Sequence, residues 1–218
     1  MKEKLTIKKE DRKYLWLLLG WVWYFIMYAL TEKLIPEENC HVIHCAVDDM
    51  IPFCEYFVIA YCFWYLYVAG SLAHFLFTDM KSFVGLQKFI ITTQVLAMVV
   101  YILWPSVQYM RPESFGHENF CTWILSIIYA FDTPTGILPS LHVGYSMGIV
   151  STWLKKKDAK TWGKVFVTAA GLIICVSVMF VKQHSFLDVI AAIPVGIAGE
   201  IVAYGGWWKE KFKNKKQG

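Results

Sequence analysis

Charged residues are scarce in this sequence: Asp, Glu, Lys and Arg make up 17% of its 218 residues, against about 25% in ordinary soluble domains. Hydrophobic residues make up 57%. This composition excludes an intrinsically disordered chain and a coiled coil, both of which need more polar and charged residues. It indicates a chain that lies largely in lipid, and the mean hydropathy of +0.44 agrees.

Cysteine motifs and repeats are also missing. The six cysteines include no C-x-x-C pair and are irregularly spaced, so neither a zinc site nor a secreted disulfide scaffold is expected. No internal repeat stands out. The basic residues occur in short blocks beside apolar runs, which argues against nucleic acid as a partner.

Six apolar segments occupy most of the chain, at residues 14–30, 56–77, 86–104, 141–154, 162–181 and 186–208. A membrane-spanning helix needs roughly 17–25 residues, so five segments are long enough and the fourth is short. The sequence therefore predicts an all-α, polytopic protein with six transmembrane helices, built as a single integral-membrane domain over residues 1–218. No small-residue cleavage pattern follows the first segment, so we expect a retained anchor.

The basic residues are distributed unevenly about these segments. Eighteen of the 21 fall in the two tails, the second loop (Lys81 and Lys88) or the fourth loop, all on one side of a six-span topology. Because loops rich in Lys and Arg stay in the cytoplasm, both termini are predicted to be cytoplasmic. The apolar stretch 119–131 is too short to span, and we interpret it as an interfacial or re-entrant helix in the third loop.

The extracytoplasmic loops contain residues suited to phosphate chemistry. His184 and Asp188 are four residues apart, so both lie on one face of a helix. A carboxylate can hold one imidazole nitrogen by a hydrogen bond and leave the other with its lone pair, as a nucleophile requires. On spacing alone, a structural hydrogen bond at a helix end explains the pair equally well.

The segment Pro139-Ser140-Leu141-His142 precedes the fourth span. A helix N-terminus offers backbone N–H groups to a phosphate, and His142 can protonate a leaving oxygen. Alternatively, Ser140 only caps the helix. Arg111 and Lys182 are cations that suit a phosphoryl group, although Arg111 can equally contact lipid headgroups and Lys182 can snorkel from the fifth span.

Arg-Pro at residues 111–112, Pro-Ser-x-His at 139–142 and His-x-x-x-Asp at 184–188 resemble, in this order, the motifs of the type 2 phosphatidic acid phosphatase superfamily. The resemblance implies a metal-independent membrane enzyme without a cofactor. It implies that His184 attacks phosphorus to form a phosphohistidine, that Asp188 orients it and that His142 protonates the leaving group. Phosphate binding would fall to Arg111, Ser140 and the backbone N–H groups from Leu141 onward.

Departures from the family pattern point to one branch of it. Trp104 and Val178 stand where the family usually has a lysine and an arginine, and Lys182 would then supply the missing charge. Leu141 replaces the usual glycine between Ser and His. These features, with the acidic segment at residues 48–53, resemble the inositol phosphorylceramide synthase branch, whose members transfer a phospho-headgroup to another alcohol.

We therefore expect an enzyme of the plasma membrane that hydrolyses a lipid phosphate ester or anhydride on the extracytoplasmic face of the bilayer. The first alternative is a phospho-headgroup transferase that uses an alcohol or lipid acceptor. The second is a non-catalytic lipid-binding or transport protein of the same fold. Intact His142, His184 and Asp188 argue against the second, because binding alone requires no poised acid and nucleophile.

Overall fold

The computed structural model of the protein describes residues 7–215, with side chains as far as residue 211. These residues are mostly helical, and two short strands, β1 (His41–Val42) and β2 (Ser106–Val107), pair in parallel. A 3₁₀ helix over Lys9–Leu18 continues into α1. The α-helices are α1 (Leu19–Leu34), α2 (Ala46–Met50), α3 (Val58–Thr78), α4 (Met80–Leu103), α5 (Phe120–Phe131), α6 (Leu141–Lys155), α7 (Thr161–Phe180) and α8 (Phe186–Lys215).

Five helical stretches in the described part of the chain are long and apolar enough to cross a membrane: Lys9–Leu34, Glu55–Thr78, Met80–Leu103, Thr161–Phe180 and Phe186–Lys211. Large apolar side chains such as Phe25, Leu66 and Leu172 project outward from them and are exposed. A helix satisfies its backbone hydrogen bonds internally, as hydrocarbon surroundings demand. The prediction of a mostly helical protein is confirmed, and five of its helical stretches in the described residues suit a membrane protein.

Helix α4 lies at the centre of the bundle, in contact with α1, α3, α6 and α8. Its inward face contributes Phe83, Leu86 and Ile90 to the main hydrophobic core. Gln87 is fully buried on the same helix and accepts a hydrogen bond from Trp21 Nε1 at 3.2 Å. Because a buried amide is costly without a partner, this bond ties α1 to the centre of the bundle.

The long helices alternate in direction, so the connecting segments collect at two ends of the bundle. At the histidine end, which holds His184, Gln108 Nε2 donates to the Lys182 carbonyl at 2.8 Å and joins the α4–α5 loop to the α7–α8 turn. At the lysine end, Lys156 Nζ lies 3.0 Å from Asp79 Oδ2 and joins the α6–α7 loop to the start of α4.

One detail of the predicted segmentation is wrong. Lys81 and Lys88 belong to the first turns of α4, because Asp79 caps this helix by accepting the Ser82 N–H at 3.2 Å. The helix therefore begins before the predicted start at residue 86, and both lysines lie in its half nearer the lysine end. Other members of the predicted basic clusters lie outside the described residues, namely Lys2, Lys4 and Lys216.

Two shorter helices agree with the predicted pattern. The stretch predicted as a short helix is α5, whose N-cap Asn119 accepts the Thr122 N–H at 2.9 Å. Helix α6 is short, with 15 residues, and packs against α3, α4, α7 and α8. These two helices flank the loop that leads to His142.

Gly148 lets α6 approach α4 closely, since a Cβ at this position would lie 2.5 Å from the Phe89 ring. We expect Gly148→Ala to lower the free energy of unfolding by about 1–3 kcal/mol, the usual cost of overpacking. Thermal unfolding in detergent measures the loss. Gly70→Ala is the matched control, because nothing lies within 4 Å of its added Cβ. Equal stability of the two variants would contradict the close packing.

Candidate functional site

His184 lies in the turn between α7 and α8. Its Nδ1 is 3.2 Å from Asp188 Oδ2, and the same oxygen accepts the Ser185 N–H at 2.9 Å. Asp188 is fully buried, and His184 is 9% exposed. When Nδ1 carries the proton, the carboxylate holds the ring in place and Nε2 keeps its lone pair for a reaction.

Asp48, in α2, binds this turn from a distant part of the chain. Its carboxylate accepts hydrogen bonds from Ser185 Oγ at 2.6 Å and from the Phe186 N–H at 2.7 Å. Burial opposes ionisation of Asp48, but the hydrogen bonds from Ser185, Phe186 and Cys45 outweigh it and lower the pKa of this carboxyl. Asp48 therefore caps the start of α8 and fixes the two residues that follow His184.

Lys182 fixes the same turn from the other side. Its backbone is left-handed, with φ of 51°, a conformation uncommon outside glycine. Its Nζ donates to the carbonyl groups of Asp48 at 3.0 Å and Ile51 at 2.6 Å. The ammonium group is thus directed to the α2 segment, and the role of Lys182 in phosphate binding stays a prediction.

His142 lies in the first turn of α6, with its ring centroid 5.6 Å from that of His184. The imidazole packs against two aromatic rings of α3, those of Tyr61 at 4.6 Å and Trp64 at 4.2 Å. Its Nε2 is buried and has no hydrogen-bond partner among the described residues. This nitrogen is therefore free to interact with a bound molecule.

Ser140 occupies the N-cap position of α6, yet its side chain makes no capping hydrogen bond. Its N–H donates to the Asp188 carbonyl at 3.1 Å, which joins the starts of α6 and α8. The Ser140 Oγ is buried without a partner in the part of the chain described. The alternative in which Ser140 only caps the helix therefore does not fit, and a buried hydroxyl remains for a ligand to satisfy.

Arg111 is held by protein groups and is only 14% exposed at its side chain. The guanidinium donates to the Asp132 carbonyl at 2.7 Å and to Gln183 Oε1 at 2.5 Å, and it lies over the Tyr129 ring at 4.8 Å. Its Nη2 is 3.5 Å from the Asp132 carboxylate. This geometry excludes the alternative of a surface arginine that only contacts lipid headgroups.

A cavity of about 600 Å³ opens beside the two histidines. Its polar end includes Asp132, Gln183 and His184. The remainder is mainly aromatic and aliphatic, with Trp21, Phe25, Trp64, Val68 and Leu72 among its walls. Between Tyr61 and Leu72, both on α3 and both lining it, the cavity runs for about 16 Å along the helix.

The predicted site residues divide into two groups with respect to this cavity. His142, His184 and Leu141 line it. The others do not line it, namely Asp188, Ser140, Arg111 and Lys182. Asp188, Arg111 and Lys182 hold neighbouring segments by hydrogen bonds, whereas the Ser140 hydroxyl has no partner among the described residues.

Asp132 lines the same cavity, although no motif in the sequence gave it a role. Burial raises the pKa of this carboxyl, while the positive charge of Arg111 and the proximity of His184 oppose the rise. The signal in the sequence was the Asp-Thr-Pro segment at residues 132–134, which precedes Pro-Ser-x-His and is one of the features that resemble the synthase branch. A carboxylate at this position makes the polar end of the cavity less positive than Arg111 alone would.

Within the described part of the chain, no three or more His, Cys, Asp and Glu side chains are grouped so that they could hold a metal ion. Comparison of the sequence and structure with protein-family models, curated proteins and solved structures gives no match in any of the three. The function must therefore be argued from the geometry of the site itself.

Asp48→Asn should destabilise the protein by about 1–3 kcal/mol, because an amide leaves a buried donor of Ser185 or Phe186 poorly paired. Since the folded-state pKa is lowered, the stabilisation by Asp48 is complete above its unfolded pKa of about 3.8. It is lost as pH falls through the lower folded value. Thermal unfolding should therefore depend less on pH below about pH 5 in the variant than in the wild type.

Asp49→Asn is the matched control for this measurement. Asp49 is the next residue along α2, and its side chain is 68% exposed and paired with His44. We expect this substitution to change stability little, since exposed ion pairs contribute about 0–1 kcal/mol. Equal unfolding temperatures for the two variants would show that the Asp48 hydrogen bonds do not hold the turn.

Proposed function

We propose that the protein cleaves a phosphate ester or anhydride of a membrane lipid through a phosphohistidine intermediate on His184. The observation that carries this proposal is the His184 imidazole, held by the buried Asp188 carboxylate at the polar end of a long apolar cavity. A lipid would place its chains among the aromatic side chains and its phosphate beside the histidines. A soluble phosphate compound would need no such cavity.

In the first step, His184 Nε2 attacks phosphorus and the bond from phosphorus to the leaving oxygen breaks. His142 gives its proton to that oxygen. Water then attacks the phosphohistidine, the phosphorus–nitrogen bond breaks and His142 takes back a proton. Asp188 stabilises the positive charge that forms on the His184 ring.

Phosphate oxygens would be bound at the start of α6. The Ser140 hydroxyl is buried there without a partner in the described chain, and the N–H groups from Leu141 onward add the positive end of the helix dipole. Arg111 orders the neighbouring loop through Asp132 and Gln183. The resemblance to the type 2 phosphatidic acid phosphatase superfamily supports these roles and requires no metal.

A transferase that moves a phospho-headgroup to an alcohol is the second candidate, and one observation favours it. Arg111 lies next to the Asp132 carboxylate, and Lys182 is held by carbonyl groups, so neither cation stands free for a phosphate. A phosphomonoester carries nearly two negative charges and a phosphodiester carries one. A site with so little free positive charge suits the diester better.

Purified protein incubated with labelled lipid phosphomonoesters and phosphodiesters tests this function, with the products identified. We expect His184→Gln to abolish turnover and the covalent intermediate, and His142→Gln to slow its formation by about 10²–10⁴-fold. His74→Gln, at a histidine of the lysine end, is the control and should keep full activity. Normal turnover in His184→Gln would overturn the mechanism.

The same assay with an added alcohol separates hydrolysis from transfer. A transferase forms a new phospho-adduct at the expense of free phosphate, whereas a hydrolase releases phosphate at an unchanged rate. Binding of every lipid without turnover of any would instead support a non-catalytic lipid-binding or transport protein.

For the membrane topology, we propose six transmembrane helices, with α6 as the short fourth one and α5 at the outer interface. Both termini would be cytoplasmic, and the histidine end would face outward from the plasma membrane. The distribution of lysines supports this orientation. In intact cells, an impermeant thiol reagent should label a single cysteine at position 117 and leave one at position 158 unlabelled. Labelling of position 158 alone would invert the topology.

A further inference from the structure

A second cavity extends from the middle of the bundle to the lysine end, and neither His142 nor His184 lines it. It is a groove of about 560 Å³ between α6, α7 and α8. Its inner part is mainly apolar and is lined by Met147, Val150, Leu154 and Leu172. From Ser146 to Lys155, which both line it, the groove extends about 14 Å along α6.

The Glu200 carboxylate lines this groove and is paired with other side chains of the protein. Glu200 accepts hydrogen bonds from Ser151 Oγ at 2.5 Å and from Trp208 Nε1 at 2.5 Å. Lys155 Nζ lies 2.5 Å from the same carboxylate. The charges of Lys155 and Glu200 therefore cancel, and the pair forms one wall of the groove.

Two further cations lie at or beside the groove: Lys211 lines it, and Lys164 binds the backbone of a lining residue. Lys211 Nζ lies 4.9 Å from the Trp207 ring centre. Lys164 Nζ donates to the carbonyl of Leu154, a lining residue, at 3.3 Å. Neither lysine forms a salt bridge with a carboxylate among the described residues. Tryptophan beside lysine at the end of an apolar helix is typical of the membrane–water interface.

We propose that this groove binds one anionic glycerophospholipid. The phosphate would lie between Lys164 and Lys211, and an acyl chain would follow the apolar wall of α6 and α7. Leu172 lines the groove and is 64% exposed, so an acyl chain could contact it directly. The ligand class follows from charge complementarity at the two lysines together with an apolar floor that a free anion would not need. This site is separate from the proposed reaction at His184.

Native mass spectrometry of the full chain, purified in detergent, tests the proposal. The protein is titrated with phosphatidylglycerol and with phosphatidylcholine of identical acyl chains. We expect one phosphatidylglycerol to bind more tightly than phosphatidylcholine. Lys164→Gln with Lys211→Gln should weaken phosphatidylglycerol about 25-fold, or roughly fivefold for each lysine near an anionic lipid. Phosphatidylcholine should weaken much less, because its choline already balances the charge of its phosphate.

Lys157→Gln is the matched control, since Lys157 is an exposed lysine between α6 and α7 that, unlike Lys211, does not line the groove and, unlike Lys164, has no hydrogen bond to a lining residue among those described. Leu172→Trp should weaken both lipids by filling the path of the acyl chain. Glycerophosphate at the same concentration should not displace the lipid. Equal affinity of the wild type for the two lipids would overturn the proposal, as would full preference in the double lysine variant or an unchanged Leu172→Trp.

The His184→Gln variant keeps this proposal distinct from the proposed function. It should bind phosphatidylglycerol as the wild type does, because His184 does not line the groove. Loss of lipid preference in His184→Gln would place the bound lipid at the histidine end and contradict the proposal. Loss of turnover in that variant, with lipid binding intact, would support both.

Discussion

A carboxylate buried at the edge of an apolar bundle is costly without hydrogen-bond donors, and two donors to Asp48 come from the turn that contains His184. The first turn of a helix leaves backbone N–H groups unpaired, and Asp48 accepts one of them from Phe186 together with the Ser185 hydroxyl. The bonds that satisfy the carboxylate therefore also fix the turn. Lys182 completes the arrangement by binding the carbonyl of Asp48. The position of the candidate nucleophile thus depends on a segment far from it in sequence.

Sequence rules predict the features of the fold and the site that depend on residues close together in the chain. Apolar runs of 17 or more residues have few alternatives to a membrane helix. The four-residue spacing of His184 and Asp188 indicates their contact, but His184 lies in the turn before α8 and not on the predicted helix face, because α8 begins at Phe186. Asp48 and Ser185 are 137 residues apart, and no spacing rule joins them. Lys88 lies in α4 and not in the predicted loop. The charge pattern does not reveal this, because a lysine on an exposed helix face and a lysine in a loop contribute to it in the same way.

The sequence does not predict the direction in which a long side chain points. Lys182 has the charge and the position expected of a phosphate ligand, but its left-handed backbone and its two carbonyl partners take the ammonium group elsewhere. Arg111 likewise lies close to the site, yet it faces Asp132 and Gln183. In both cases the residue contributes by holding a loop, which composition and spacing alone cannot distinguish from contact with a ligand.

The charges near the candidate nucleophile bear on which reaction the site can perform. Asp132 balances Arg111, and burial raises the pKa of Asp132. A dianion entering this end of the cavity would repel the Asp132 carboxylate, and binding would favour its protonation. A phosphodiester carries one negative charge, so its binding would favour protonation of Asp132 less. It also retains a headgroup that a second alcohol could replace. Under the proposed function, the modest positive charge of the site would therefore favour headgroup transfer, whereas the histidine pair would serve hydrolysis and transfer equally.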